Sequence, residues 1–179
     1  MGLVGKGAVH AYVDHLYALL ELARNQKLEK VFIHIFTDGR DYPNTSAVSS
    51  VQEIERRVKM YRTGKIATIT GRYFAMDRNN NWDRLEKAFN LLTKGEGKKI
   101  SDPVKYLQDS YKKEIFDEYI EPAVITENGK PVGLIEDNDA IIFFNFREDR
   151  ARQLTEAFAL PGFMKFKRQD FKNLEFVTM

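Results

Sequence analysis

Cysteine is absent from this 179-residue chain. That excludes a disulfide framework and any thiolate metal site, and it suits a reducing compartment. Histidine is nearly absent too: His10, His15 and His34 are the only three, a poor stock from which to build a transition-metal centre. No apolar run approaches the roughly 18 residues of a membrane-spanning helix, and nothing near Met1 has the charged-then-apolar form of a signal peptide. There is no large excess of one charge either. A net charge of +2 is too small to point to nucleic acid, so any functional positive field has to be local. The remainder is ordinary for a globular protein, with 43% hydrophobic and 30% charged residues. The length suits one domain, residues 1–179, with a proper core.

Apolar runs and apolar stripes alternate along the chain. Lys30–Thr37, Lys65–Thr70 and Ala140–Phe146 are short continuous apolar runs, the pattern of strands buried on both faces. Between them lie stripes of helical period. One spans Val9–Asn25, with Tyr12, Leu16, Leu19, Leu20 and Ala23. A second follows Thr45 or Ser46 as cap and carries Val48, Val51, Ile54, Val58 and Tyr61. Others cover Leu85–Leu92 and Pro103–Lys113. Lys94–Asp102 reads as a polar loop. Ala123–Ile125 and Val132–Ile135 flank Asn128-Gly129, the strongest short hairpin signal, and read as an appendage to the main sheet. Leu174–Met179 is strand-like. No internal repeat or low-complexity tract is present. The alternation predicts an α/β fold: a three-layer α/β/α sandwich with a mostly parallel sheet and a small β-hairpin appendage.

The polar signal concentrates just after the predicted strands. Gly71–Arg84 reads GRYFAMDRNNNWDR and holds Arg72, Arg78 and Arg84. Asp38–Asp41 reads DGRD, and Asn145–Arg152 reads NFREDRAR with Arg147, Arg150 and Arg152. Open α/β sheets bind ligands at the carboxyl ends of their strands, and a guanidinium matches the oxygens of phosphate or carboxylate. The three connections are therefore expected to converge on one small polyanion. Arg147 and Arg150 are expected at the start of a helix, where their charge opposes the macrodipole unless an anion or an acidic neighbour compensates it. The glycine-rich lead Gly2–Ala8 could present backbone N–H groups to an anion, with His10 beside it, or could be a plain loop. Two other readings remain open on residues alone. One is a non-catalytic anion-binding module. The other is a structural or interaction domain whose arginines pair with Asp38, Asp77, Asp83, Glu148 and Asp149.

Taken together, GRYFAMDR, WDR and FFNFR-x-DRAR resemble the cofactor-independent phosphoglycerate mutases, over Gly2–Ala23, Lys30–Pro43, Gly64–Glu96 and Asp139–Phe158. The resemblance covers the substrate-holding half of a two-domain enzyme. It implies that this chain is a piece of such an enzyme, holding phosphoglycerate and needing no cofactor of its own. The metal-binding half would be its partner and would supply two divalent ions, probably manganese in that family, and a transiently phosphorylated serine. It implies neither nucleic-acid nor membrane partners, and a cytoplasmic location. By matching motif, His10, Arg40, Asp41, Arg72, Arg78, Arg147 and Arg150 would bind substrate. Asp41 is also the candidate for moving a proton, while Arg84 and Arg152 would be structural. The family loop SDGGVHSH is altered here to Gly5-Lys6-Gly7-Ala8-Val9-His10-Ala11-Tyr12, which keeps the histidine.

Overall fold

The computed structural model describes Met1–Met179. Strands β1 (Gly2–Val4), β2 (Phe32–Thr37) and β3 (Lys65–Gly71) run parallel in that order. Helices α1 (Val13–Asn25) and α2 (Ala47–Tyr61) make the crossovers and pack side by side. Right-handed crossovers place both on one face. A short helical turn, α3 (Arg72–Ala75), and helix α4 (Trp82–Lys94) follow β3. Next come β4 (Lys98–Ile100), α5 (Pro103–Tyr111), a 3-10 turn at Asp117–Tyr119, β5 (Ala123–Glu127) and β6 (Lys130–Pro131). The chain closes with β7 (Ala140–Phe143), α6 (Arg152–Ala159) and β8 (Glu175–Thr178). The strand order β1-β2-β3-β5-β4 is mostly parallel, α5 joins the α1/α2 layer, and α4 packs with α6. The expected α/β sandwich is present.

Its core is continuous across the layers. Phe36, Ile35, Ile54, Ile69, Leu85 and Phe89 are fully buried. Phe89 of α4 meets Phe158 of α6 at 4.7 Å and Phe166 at 5.4 Å between ring centroids. Trp82, at the start of α4, lies edge-on to Phe163 at 5.6 Å.

Several local expectations are corrected. The polar stretch Lys94–Asp102 contains β4, an edge strand parallel to β5, in which Ile100 is buried and the two lysines are exposed. Lysines on an edge discourage pairing with other chains, and they also hide the strand from a hydrophobicity scan. The hairpin does turn at Asn128-Gly129, but its first arm is no appendage. β5 lies between β3 and β4, with Ala123 and Val124 fully buried, and β6 is only two residues long. β7 stops at Phe143 and pairs with β8, outside the main ladder. It joins β1 through the Met1 nitrogen, which donates to the Ile142 carbonyl at 2.7 Å, and the Phe144 N–H, which donates to the Met1 carbonyl at 3.1 Å. Helix α1 begins at Val13, so the glycine-rich loop runs on through Tyr12. Arg147 and Arg150 lie in a turn ahead of α6, not on a shared helical face.

The N-terminus of α2 is also capped differently. Neither Thr45 nor Ser46 caps it with its own side chain. Asp117, fully buried and far along the chain, accepts from the Ala47 N–H at 2.9 Å and the Ser46 hydroxyl at 3.1 Å. The Tyr111 hydroxyl donates to its other oxygen.

Candidate functional site

Because β1, β2 and β3 are parallel, the connections that leave their carboxyl ends emerge at one edge of the sheet. Gly5–Tyr12 follows β1, Asp38–Pro43 follows β2, and Arg72–Asn81 follows β3. The segment after β7 is drawn to the same edge. The Phe146 N–H donates to the His10 carbonyl at 2.9 Å, and Asn145 Oδ1 accepts from the Leu3 N–H at 2.9 Å. Two glycines permit the close approach. A Cβ on Gly7 would lie 2.4 Å from the Asp41 carbonyl oxygen, and one on Gly71 would lie 2.3 Å from that of Glu118.

Arg72 is the centre of the arrangement. It is only 3% exposed and donates from Nη1 to Asp38 Oδ1 at 2.7 Å and to Asp41 Oδ2 at 2.5 Å. Asp38 also accepts from the N–H groups of Arg40 and Asp41 at 3.1 and 3.0 Å, so one carboxylate shapes the DGRD turn. Burial pulls the Arg72 pKa down, but the hydrogen bonds and charges of Asp41 and Asp38 outweigh it and raise the net value. Burial likewise pushes Asp41 up, and Arg72, with His10 and Arg40, more than reverses that. Both groups therefore stay ionised.

His10 is buried at the end of this chain of charges. Its Nε2 lies 3.7 Å from Asp41 Oδ2, and its Nδ1 lies 3.4 Å from Asp149 Oδ1. Burial, then Arg72, lowers its pKa against the opposing pull of Asp149 and Asp41. Asp149 also meets Arg78 Nη1 at 2.9 Å and Arg147 Nε at 3.1 Å. Arg150 makes no ion pair and donates instead to the Met76 carbonyl at 3.1 Å. Its pKa is lowered by burial and then by Arg72, Arg78 and Arg40. Arg40, half exposed, reaches only Glu118, at 3.5 Å.

All seven residues singled out by motif thus lie at one edge, and the cationic field around Arg150 is not fully compensated. Such a surface favours a multiply charged anion. Arg84 and Arg152 stand apart from it. Arg84 stacks over Tyr73 at 4.1 Å and faces Asp77 at 3.8 Å, while Arg152 pairs with Glu148 at 3.0 Å. Asp77 accepts from the N–H groups of Asn79 and Asn81 and so shapes the loop that carries Arg78.

His15 and His34 lie outside the cluster. His15 stacks edge-on with Phe146, and His34 is buried in β2, its pKa lowered by burial to about 3. No group of three or more His, Cys, Asp or Glu side chains is arranged to hold a metal ion. Two cavities, of about 360 and 420 Å³, contain none of the seven residues. No helix is long and apolar enough to cross a membrane.

Asp149 and Glu118 are neighbours of the cluster to which motif reading assigned no role. Asp149 had a signal, since it lies inside NFREDRAR. Glu118 had none, because only the fold of the 3-10 turn brings it to Arg40.

Comparison with known proteins shows the family of the chain. The chain matches the model of the BPG-independent PGAM N-terminus family over residues 1–179. It is 47% identical over 180 residues to the 2,3-bisphosphoglycerate-independent phosphoglycerate mutase of Moorella thermoacetica. It is 48% identical over 179 residues to the enzyme of that name from Clostridium acetobutylicum. In each case the match takes in 100% of this chain and 35% of the relative, so the chain spans about a third of those proteins. Among solved structures, phosphoglycerate mutase of Leishmania mexicana at low cobalt concentration superposes with a TM-score of 0.95 at 28% identity. That superposition covers 99% of this chain and 34% of the other.

Proposed function

The chain belongs to the BPG-independent PGAM N-terminus family, and from that premise we propose that it holds phosphoglycerate while 3-phosphoglycerate and 2-phosphoglycerate are interconverted in the glycolytic cytoplasm. The observation that carries this reading is the convergence of Arg40, Arg72, Arg78, Arg147 and Arg150 at one sheet edge, with Arg150 lacking a carboxylate partner. Phosphoglycerate carries a phosphate and a carboxylate, and a field of several guanidinium groups can hold both ends at once.

Phosphoryl transfer asks a protein mainly for positioning and electrostatic stabilisation. Arg72, locked by Asp38 and Asp41, is a rigid anchor. Arg40, Arg78 and Arg147 are between 45% and 54% exposed and can move onto a ligand. Asp41 and His10, 3.7 Å apart, face the same space and are suited to hold a glycerate hydroxyl or its proton. The residues of this chain do not fit a two-metal centre. The divalent ions, manganese by the resemblance, and the phosphorylated serine are assigned to a second domain outside this chain.

A titration with 3-phosphoglycerate followed by NMR tests the reading. Binding is expected at roughly millimolar Kd, about 4 kcal/mol, because Arg40, Arg78 and Arg147 are half exposed to water, and it is expected to weaken as salt rises. Shifts confined to Ala123–Ile135, with none at His10, Arg40, Arg72 or Arg147, would put the site elsewhere.

A further inference from the structure

The guanidinium groups of the cluster are held in two different ways. Arg72 is buried and ion-paired with Asp38 and Asp41, and neither of those carboxylates makes an ion pair with another arginine. Arg78 and Arg147 are 45% and 49% exposed, and both turn back onto the single carboxylate of Asp149. They arrive from separate connections, Arg78 after β3 and Arg147 after β7, and His10 reaches the same carboxylate from the loop after β1.

The fit at Asp149 is imperfect. Its Oδ2 accepts a hydrogen bond from Arg78 Nη1 at 2.9 Å. Its Oδ1 is near Arg147 Nε at 3.1 Å and His10 Nδ1 at 3.4 Å, yet this buried oxygen and His10 Nδ1 are both without a hydrogen bond. A carboxylate with cationic neighbours and an unmade bond is held there by charge more than by directed hydrogen bonding. Asp149 stays ionised, because Arg78, His10 and Arg147 outweigh the effect of its burial.

We propose that Asp149 is a built-in counter-ion. In the ligand-free protein it stands in for one anionic group of the ligand and holds Arg78 and Arg147 inward. Without it, Arg78 and Arg147 would lose their ion-pair partner, and Arg150 would feel Arg72 and Arg78 without the opposing charge of Asp149. The ligand's anionic group must draw Arg78 and Arg147 away from Asp149, so Asp149 lowers the affinity of the site while keeping the empty site ordered. This inference rests on the cluster being the phosphoglycerate site.

The test compares the wild-type chain, Asp149→Asn and Arg150→Ala, each titrated with inorganic phosphate at fixed ionic strength and followed by NMR, with melting curves in parallel. Asp149→Asn is expected to bind phosphate roughly three- to tenfold more tightly, the equivalent of one or two partly exposed ion pairs no longer competing. Its melting temperature is expected to rise more on phosphate addition than the wild type's. Asp149→Ser removes the charge with a different side chain and repeats the test if the first variant folds poorly. Arg150→Ala is expected to bind more weakly. Unchanged or weaker binding by both Asp149 variants, with Arg150→Ala also weakened, would overturn the counter-ion role and leave the site in place. Absence of phosphate-induced shifts at His10, Arg72 and Arg150 in the wild type would overturn the site and this inference with it.

Discussion

Replacing Asp117 by Asn is expected to remove a pH dependence from the stability of this fold. The Asp117 carboxyl is fully buried and accepts from the Ala47 N–H and from the hydroxyls of Ser46 and Tyr111. Burial raises its pKa from 3.8 to about 6, against the pull of those donors. A carboxyl whose folded pKa lies above its unfolded value binds its proton more tightly in the folded state. Its contribution is therefore complete below about pH 4 and is lost as pH rises through about 6. At about 1.4 kcal/mol per unit, the loss between pH 4 and pH 7 is about 2–3 kcal/mol. With its carbonyl oxygen in the place of Oδ2, asparagine still accepts from the Ala47 N–H and the Ser46 hydroxyl, and the Tyr111 hydroxyl can rotate to accept from its amide. Urea unfolding at several pH values is the assay. The stability of Asp117→Asn relative to wild type is expected to improve by about 2–3 kcal/mol from pH 4 to pH 7. Asp117→Ala lacks the same titrating group and is expected to be about 3 kcal/mol less stable than wild type at pH 7 and further below it at pH 4, through the lost cap and the buried donors left unpaired. A difference between Asp117→Asn and wild type that stays constant within about 0.5 kcal/mol across that range would refute the reasoning.

Arg72→Ala is expected to cost about 3–5 kcal/mol in unfolding free energy, because Asp38 and Asp41 are left buried or half-buried without their cation. Arg72→Lys is expected to keep more of that stability and still weaken phosphoglycerate binding in the NMR titration, since an ammonium cannot replace the guanidinium fork. Gly7→Ala places a Cβ 2.4 Å from the Asp41 carbonyl oxygen. A loss of about 1–3 kcal/mol, with chemical-shift changes at His10, is the expected result. The chain alone, supplied with manganese and 3-phosphoglycerate, is expected to give no 2-phosphoglycerate in a coupled assay. Turnover by the pure chain would refute the assignment of the chemistry to a second domain.

Much of this protein is legible in local pattern. Val31–Phe36 is a short, mostly apolar run of the kind a buried strand carries, and α4 shows its stripe of Leu85, Ala88, Phe89 and Leu92 directly. The DGRD and GRYFAMDR motifs begin where such runs end, so once β2 and β3 are taken as parallel their convergence follows from strand direction, whereas the segment after β7 is brought there by its bonds to Leu3 and His10. The Asn128-Gly129 turn and the start of α5 at Pro103 are written locally, and both occur as expected.

What local pattern left open was decided by contacts between distant segments. β5 lies between β3 and β4, antiparallel to one and parallel to the other, and β7 meets β1 across nearly the whole chain. Asp117 caps α2 from 70 residues away, and Asp149 gathers Arg78 and His10 from two other connections. Periodicity reports which face of an element is buried and says nothing of what buries it. The partner is chosen by the closing of long loops and the joint filling of one core, terms that belong to the folded whole.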